Sequence, residues 1–130
     1  MPIRIVRLGT PKRAGEGIRL GTVRRPPRGV RTDRYAAENW YDVWLPNLAP
    51  SAALVASART TLQDPAKWKR FAGRYEAEIA RTENRRVLDA LAALSHQTNF
   101  SVGCYCEDPA RCHRSILERI LKKHGAAIAR

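Results

Sequence analysis

Residues 100–124, F-S-V-G-C-Y-C-E-D-P-A-R-C-H-R-S-I-L-E-R-I-L-K-K-H, decide the fold. Over Phe100–Cys106 the pattern has a period of two, with Phe100, Val102, Cys104 and Cys106 on one face and Ser101, Gly103 and Tyr105 on the other, as in a strand. The period then lengthens. Cys112, Ile116 and Ile120 form one stripe and His113, Leu117 and Leu121 the next, as on a helix running from Pro109 to His124, with Asp108 at its N-cap and Pro109 at its first position. A strand that hands over directly to a helix, near the end of a chain that also begins with a strand, is a unit of an α/β layered fold.

The rest of the chain agrees with that unit. Ile3–Leu8 alternates apolar and basic groups and ends at Gly9, which predicts the first strand, and Ile18–Val23 predicts a second with Ile18, Leu20 and Thr22 on one side. Residues 24–34, R-R-P-P-R-G-V-R-T-D-R, carry too much proline and charge for a regular element and form an exposed basic loop. Trp40 to Pro50, with two tryptophans and two prolines, either offers a stacking surface for bases or covers a small core through Trp44, Leu45 and Leu48. Ser51 caps a short helix carrying Leu54 and Val55. Asp64 and Pro65 open a longer one with the apolar stripe Trp68, Phe71, Ala72, Tyr75 and Ile79. A third, from about Glu83, buries Val87, Leu88, Leu91 and Leu94. His96, in the polar turn that follows, is structural. The 130 residues make one small domain, 1–130, with a mostly parallel sheet flanked by helices.

Twenty-four Lys and Arg against twelve Asp and Glu leave a net charge of +12, and residues 1–34 supply eight of those charges. Such a surplus favours phosphate-bearing small molecules or nucleic acid as partners. Arg4 and Arg7 interrupt any secretory leader, and no run reaches membrane-spanning length, so no membrane partner is expected. Three clustered cysteines without a disulfide framework suit a reducing, cytoplasmic location. Neither a Walker nor a dinucleotide glycine pattern is present, and no cofactor is indicated.

The strand-to-helix corner concentrates the chemistry. Open α/β sheets bind ligands at the carboxyl ends of their strands, beside helix N-termini. In one reading, Arg111 and Arg114 at the rim, with Ser115 and the helix amides, hold a phosphate or carboxylate. Arg28 of the basic loop closes over it, and Cys104, Cys106 or Cys112 acts as a reactive thiol with His113 moving a proton. In a second, Cys104, Cys106, Cys112 and His113 form a Cys3His zinc site, although the one-residue spacing of the first pair and the adjacency of the last strain a tetrahedral cage. In a third, the cysteines are small core hydrophobes. The spacing is neither that of a phosphatase loop, since Cys106 precedes Arg111 by five positions, nor that of a thioredoxin-like pair.

The segment 104–115 resembles the cysteine-bearing branch of the family labelled domain of unknown function 488, to which the bacterial YeaO-like proteins belong. Pro27-Arg28-Gly29, the stretch Trp44–Ser51, and Phe71, Arg74 and Tyr75 are similar to the same family, so the resemblance covers almost the whole chain. It implies a small α/β domain with a parallel sheet, from bacterial or archaeal cytoplasm, and no particular reaction. Val23 and Pro26 stand where YeaO-like members carry an aspartate and a tryptophan, so the role of that aspartate does not transfer. The expectation is an anion-binding domain, acting as a thiol enzyme on a phosphate-bearing small molecule or nucleic-acid end. Its rival is a non-enzymatic nucleic-acid-binding module that uses Arg24, Arg25, Arg28 and Arg31.

Overall fold

The computed structural model describes residues 2–58, 64–105 and 112–129. Four strands, β1 (Ile3–Arg7), β2 (Ile18–Gly21), β3 (Val43–Trp44) and β4 (Phe100–Cys104), form one sheet in the order β1-β4-β2-β3. Every pairing is parallel. The last strand is therefore central, with Val102 between Ile5 and Leu20, and Gly103 between Val6 and Gly21. Four helices, α1 (Ala52–Ala58), α2 (Pro65–Ile79), α3 (Thr82–Leu94) and α4 (His113–Lys123), complete the α/β domain. Among the described residues no helix is long and apolar enough to cross a membrane.

Period-two alternation divides the sheet into two chemically distinct faces. Ile3, Phe100 and Val102 join Phe71, Tyr75, Ile79, Leu88, Leu117 and Leu121 in the main core. The opposite face is lined by small residues and an ion pair. Gly103 sits where a Cβ would come within 2.7 Å of the Val6 carbonyl oxygen, so only glycine lets β1 lie this close there.

Side-chain caps mark two of the helix starts. Asp64 accepts hydrogen bonds from the amides of Ala66 and Lys67 at the N-terminus of α2, and Ser51 Oγ accepts from the Leu54 amide ahead of α1. Helix α4 departs from the pattern. It begins at His113 with Cys112 in the N-cap position, later than the Asp-Pro pair predicts. Asp108 and Pro109 lie outside the described residues, as do Cys106 and Arg111.

Two burial expectations are corrected, at Leu94 and at Trp44. Within β2, Ile18 is 55% exposed and Arg19 is fully buried, while Leu20 packs against the main core. Strand β3 pairs only with Leu20 and Gly21, so nothing flanks Ile18 on that side. Arg19 is held by Glu16 through Nε at 2.8 Å and Nη2 at 3.2 Å, and its Nη1 donates to the carbonyls of Thr10 and Asn39 at 2.8 Å each. Leu94 is exposed because the buried stripe of α3 runs through Leu88, Leu91 and Ala92 to Ser95. Trp44 is also exposed, with Nε1 donating to the Val23 carbonyl, while Leu48 is fully buried and Leu45 half-buried.

Candidate functional site

Cys104 ends the central strand, Cys112 precedes α4 and His113 opens it, so the strand-to-helix corner brings three side chains together from two elements. All three are buried, and their ligand-type atoms lie within 4.8 Å of one another. The sulfurs of Cys104 and Cys112 face one another, with their Cα atoms 7.9 Å apart, wider than the roughly 4.4–6.8 Å that a relaxed disulfide spans. Leu8, Val23 and Tyr41 pack around the pair in a second small core.

His113 is the best-defined member. Its Nε2 lies 2.7 Å from the carbonyl oxygen of Thr22, which can only accept, so the ring proton sits on Nε2. Nδ1 is left as a lone pair, 3.9 Å from Cys112 Sγ. Burial lowers the His113 pKa from 6.5 to about 4; the hydrogen bond to Thr22 opposes that shift and the Arg114 charge adds to it. The ring is therefore neutral near pH 7. The edge of the Tyr75 ring system meets it at 5.4 Å between centroids and fixes its plane. A neutral imidazole with one nitrogen anchored and the other facing Cys112 can accept a hydrogen bond from a thiol, and the same three side chains could hold a soft divalent metal.

Cys104 and His113 line a cavity of about 440 Å³, together with Val23, Arg25, Val55 and Tyr105. A second cleft, of about 580 Å³, lies across Tyr105 and is lined by Arg7, Arg25, Arg28, Trp40 and Pro27. Tyr105 and Arg25 belong to both walls, and the Tyr105 hydroxyl donates to the Arg25 carbonyl at 2.8 Å. Burial, with Tyr41 and Tyr35 nearby, holds the Tyr105 phenol well above its usual range, so it remains a donor.

The candidate anion ligands separate on this map. Arg114 is 5% exposed, inside the helix packing and not at the rim, because at three residues before Leu117 and seven before Leu121 it shares their buried face of α4. Ser115 Oγ donates to the Cys112 carbonyl at 2.9 Å and serves its own helix turn. Arg28 faces the cleft beyond Tyr105 and does not line the His113 cavity. In the basic loop, Arg24 clamps the carbonyls of Pro46, Ala49 and Pro50 and is structural, and Arg31 pairs with Asp33 on the surface. Arg25 and Arg28 form no side-chain hydrogen bond or ion pair among the described residues.

Sequence reasoning missed Thr22 and Tyr105 as parts of the site. The first acts through its backbone carbonyl and carries no side-chain signal. The second meets Trp40 of the predicted stacking stretch, with ring centroids 5.9 Å apart in an edge-to-face arrangement, only through tertiary folding.

A family model described as "DUF488-N3a: Active DUF488-N3 subclade" matches residues 3–125. No curated protein and no solved structure matches the chain.

Proposed function

Since the chain belongs to the DUF488-N3a family, described as the active DUF488-N3 subclade, we propose that it is a thiol-dependent enzyme acting on a phosphate-bearing ligand. The observation that carries the reading is the pairing of two adjacent cavities across Tyr105. One is lined by the buried Cys104 and His113, and the other by Arg25 and Arg28, whose guanidinium groups are unengaged among the described residues.

The roles follow from position. Cys104 lines the cavity and is the sulfur that meets a ligand, while the Cys112 sulfur faces it from the start of α4. His113 Nδ1, uncharged, is placed to accept a hydrogen bond from the Cys112 thiol and so to orient the pair. Arg25 and Arg28 hold the phosphate by charge-assisted hydrogen bonds, which keeps the anion away from the buried ring and sulfurs. The rival, a nucleic-acid module built on the whole basic loop, is weakened because Arg24 and Arg31 are already engaged.

Alkylation with iodoacetamide, mapped by peptide mass spectrometry, tests the proposal. The expected result is labelling of Cys104 in the reduced protein, protection by inorganic pyrophosphate, and altered labelling in His113→Ala. A reduced Cys104 that stays inert with and without pyrophosphate sinks the thiol reading. Stoichiometric zinc in protein purified without added metal would assign the cluster to metal binding instead.

A further inference from the structure

We propose that the cleft beside Tyr105 binds a nucleoside 5′-phosphate, free or at the end of a nucleic-acid strand, with its phosphate on Arg25 and Arg28 and its base against Trp40. The inference rests on the reading above, that the chain takes a phosphate-bearing ligand, and it names the class of that ligand.

The cleft's two kinds of wall carry the inference. Its basic side holds Arg7, Arg25 and Arg28, and no carboxylate lines it among the described residues. Arg7 Nε reaches the Tyr105 carbonyl at 3.4 Å, which ties this arginine to the partition between the cavities. Arg25 and Arg28 are exposed and unengaged, and two forked donors on one short loop match the oxygens of one phosphate. Gly29, with φ +72, turns the chain just after Arg28 and meets no neighbour, so the loop can present that arginine without packing constraints.

Much of the remaining lining is apolar and aromatic: Leu8, Pro26, Pro27 and Trp40, with Tyr105 edge-to-face against the indole. Gly9 lies against the Trp40 ring, where an added Cβ would stand 3.0 Å from Cζ3, so the indole is seated from behind and cannot swing away. Inorganic phosphate would leave this wall in water, whereas a base would cover it. At about 580 Å³ the cleft falls within the roughly 300–1,000 Å³ of small-ligand sites. The backbone carries no glycine-rich phosphate loop, so the guanidinium groups supply the phosphate contacts that such a loop provides elsewhere.

Isothermal titration calorimetry on the full chain with AMP, a 5′-phosphorylated hexanucleotide and inorganic pyrophosphate tests this. The expected result is that AMP or the hexanucleotide binds at least about tenfold tighter than pyrophosphate, the gain typical of one stacked base; the tighter of the two identifies the source of the nucleotide. Arg25→Gln with Arg28→Gln weakens all three by about tenfold or more, as loss of charge-assisted bonds does. Trp40→Leu abolishes the nucleotide preference and spares pyrophosphate, and Trp40→Phe keeps the preference. Equal affinities in the unmodified protein, or no binding of any of the three, overturn the inference whether or not the Trp40 variants fold. Pyrophosphate binding that needs Arg25 and Arg28 but shows no nucleotide preference overturns this inference and leaves the phosphate-ligand reading in place. Nucleotide binding with Cys104 inert after reduction does the opposite.

Discussion

His113 donates from Nε2 to the carbonyl oxygen of Thr22 at 2.7 Å, joining the first residue of α4 to the chain just past the end of β2. This bond spans 91 positions and ties down the corner that holds both sulfurs.

The protonation state of His113 makes the corner sensitive to acid. Its folded pKa is depressed from 6.5 to about 4 by burial, so the unfolded chain takes up the proton first as pH falls. The stability contributed by keeping His113 neutral is complete above pH 6.5 and is lost as pH falls toward 4, by about 3 kcal/mol across the window. Urea titrations of the metal-free chain at pH 7, 5.5 and 4.5 should show this slope, and His113→Gln should flatten it. Parallel curves for the two proteins would contradict the burial argument.

Arg19 and Glu16 form the second buried anchor. Burial raises the Glu16 pKa, but hydrogen bonds from Arg19, Ser101 and the Arg13 amide, with the Arg19 charge, outweigh it and hold the carboxylate below its usual range. Arg19→Met strips that carboxylate of its main partner and leaves the Thr10 and Asn39 carbonyls without their donor. Removing one member of such a pair costs about 3–5 kcal/mol. Adding Glu16→Gln to Arg19→Met should recover part of the loss in chemical denaturation, which a purely steric defect would not allow.

Two glycines give opposite expectations. Gly103→Ala drives a methyl group to 2.7 Å from the Val6 carbonyl and 2.9 Å from Leu8, so β1 must move away from β4 at a cost of about 1–3 kcal/mol. Because Cys104 is the next residue, alkylation of the reduced thiol should change as well. Gly73, exposed in α2, has open space around an added Cβ, and Gly73→Ala should raise stability by about 0.5–1 kcal/mol. Differential scanning calorimetry of the two variants distinguishes a packing constraint from a helix-propensity effect.

The amino-acid sequence by itself determined the parallel α/β class, the capped helix at Asp64, the apolar stripe of α2 and the gathering of Cys104, Cys112 and His113. Those features are written in local period and spacing, since a side chain's neighbours three or four positions away are set by the element it belongs to. Only the tertiary structure decided that Cys104 meets Cys112, that Arg114 turns inward, and that Arg19 is buried while Ile18 is exposed. It also placed Arg28 across Tyr105 from the cysteines and gave His113 its acceptor in Thr22. Each of these depends on which strand lies beside which, and on groups such as backbone carbonyls that are the same at every residue. Hydrophobic pattern and residue type carry no record of such pairings.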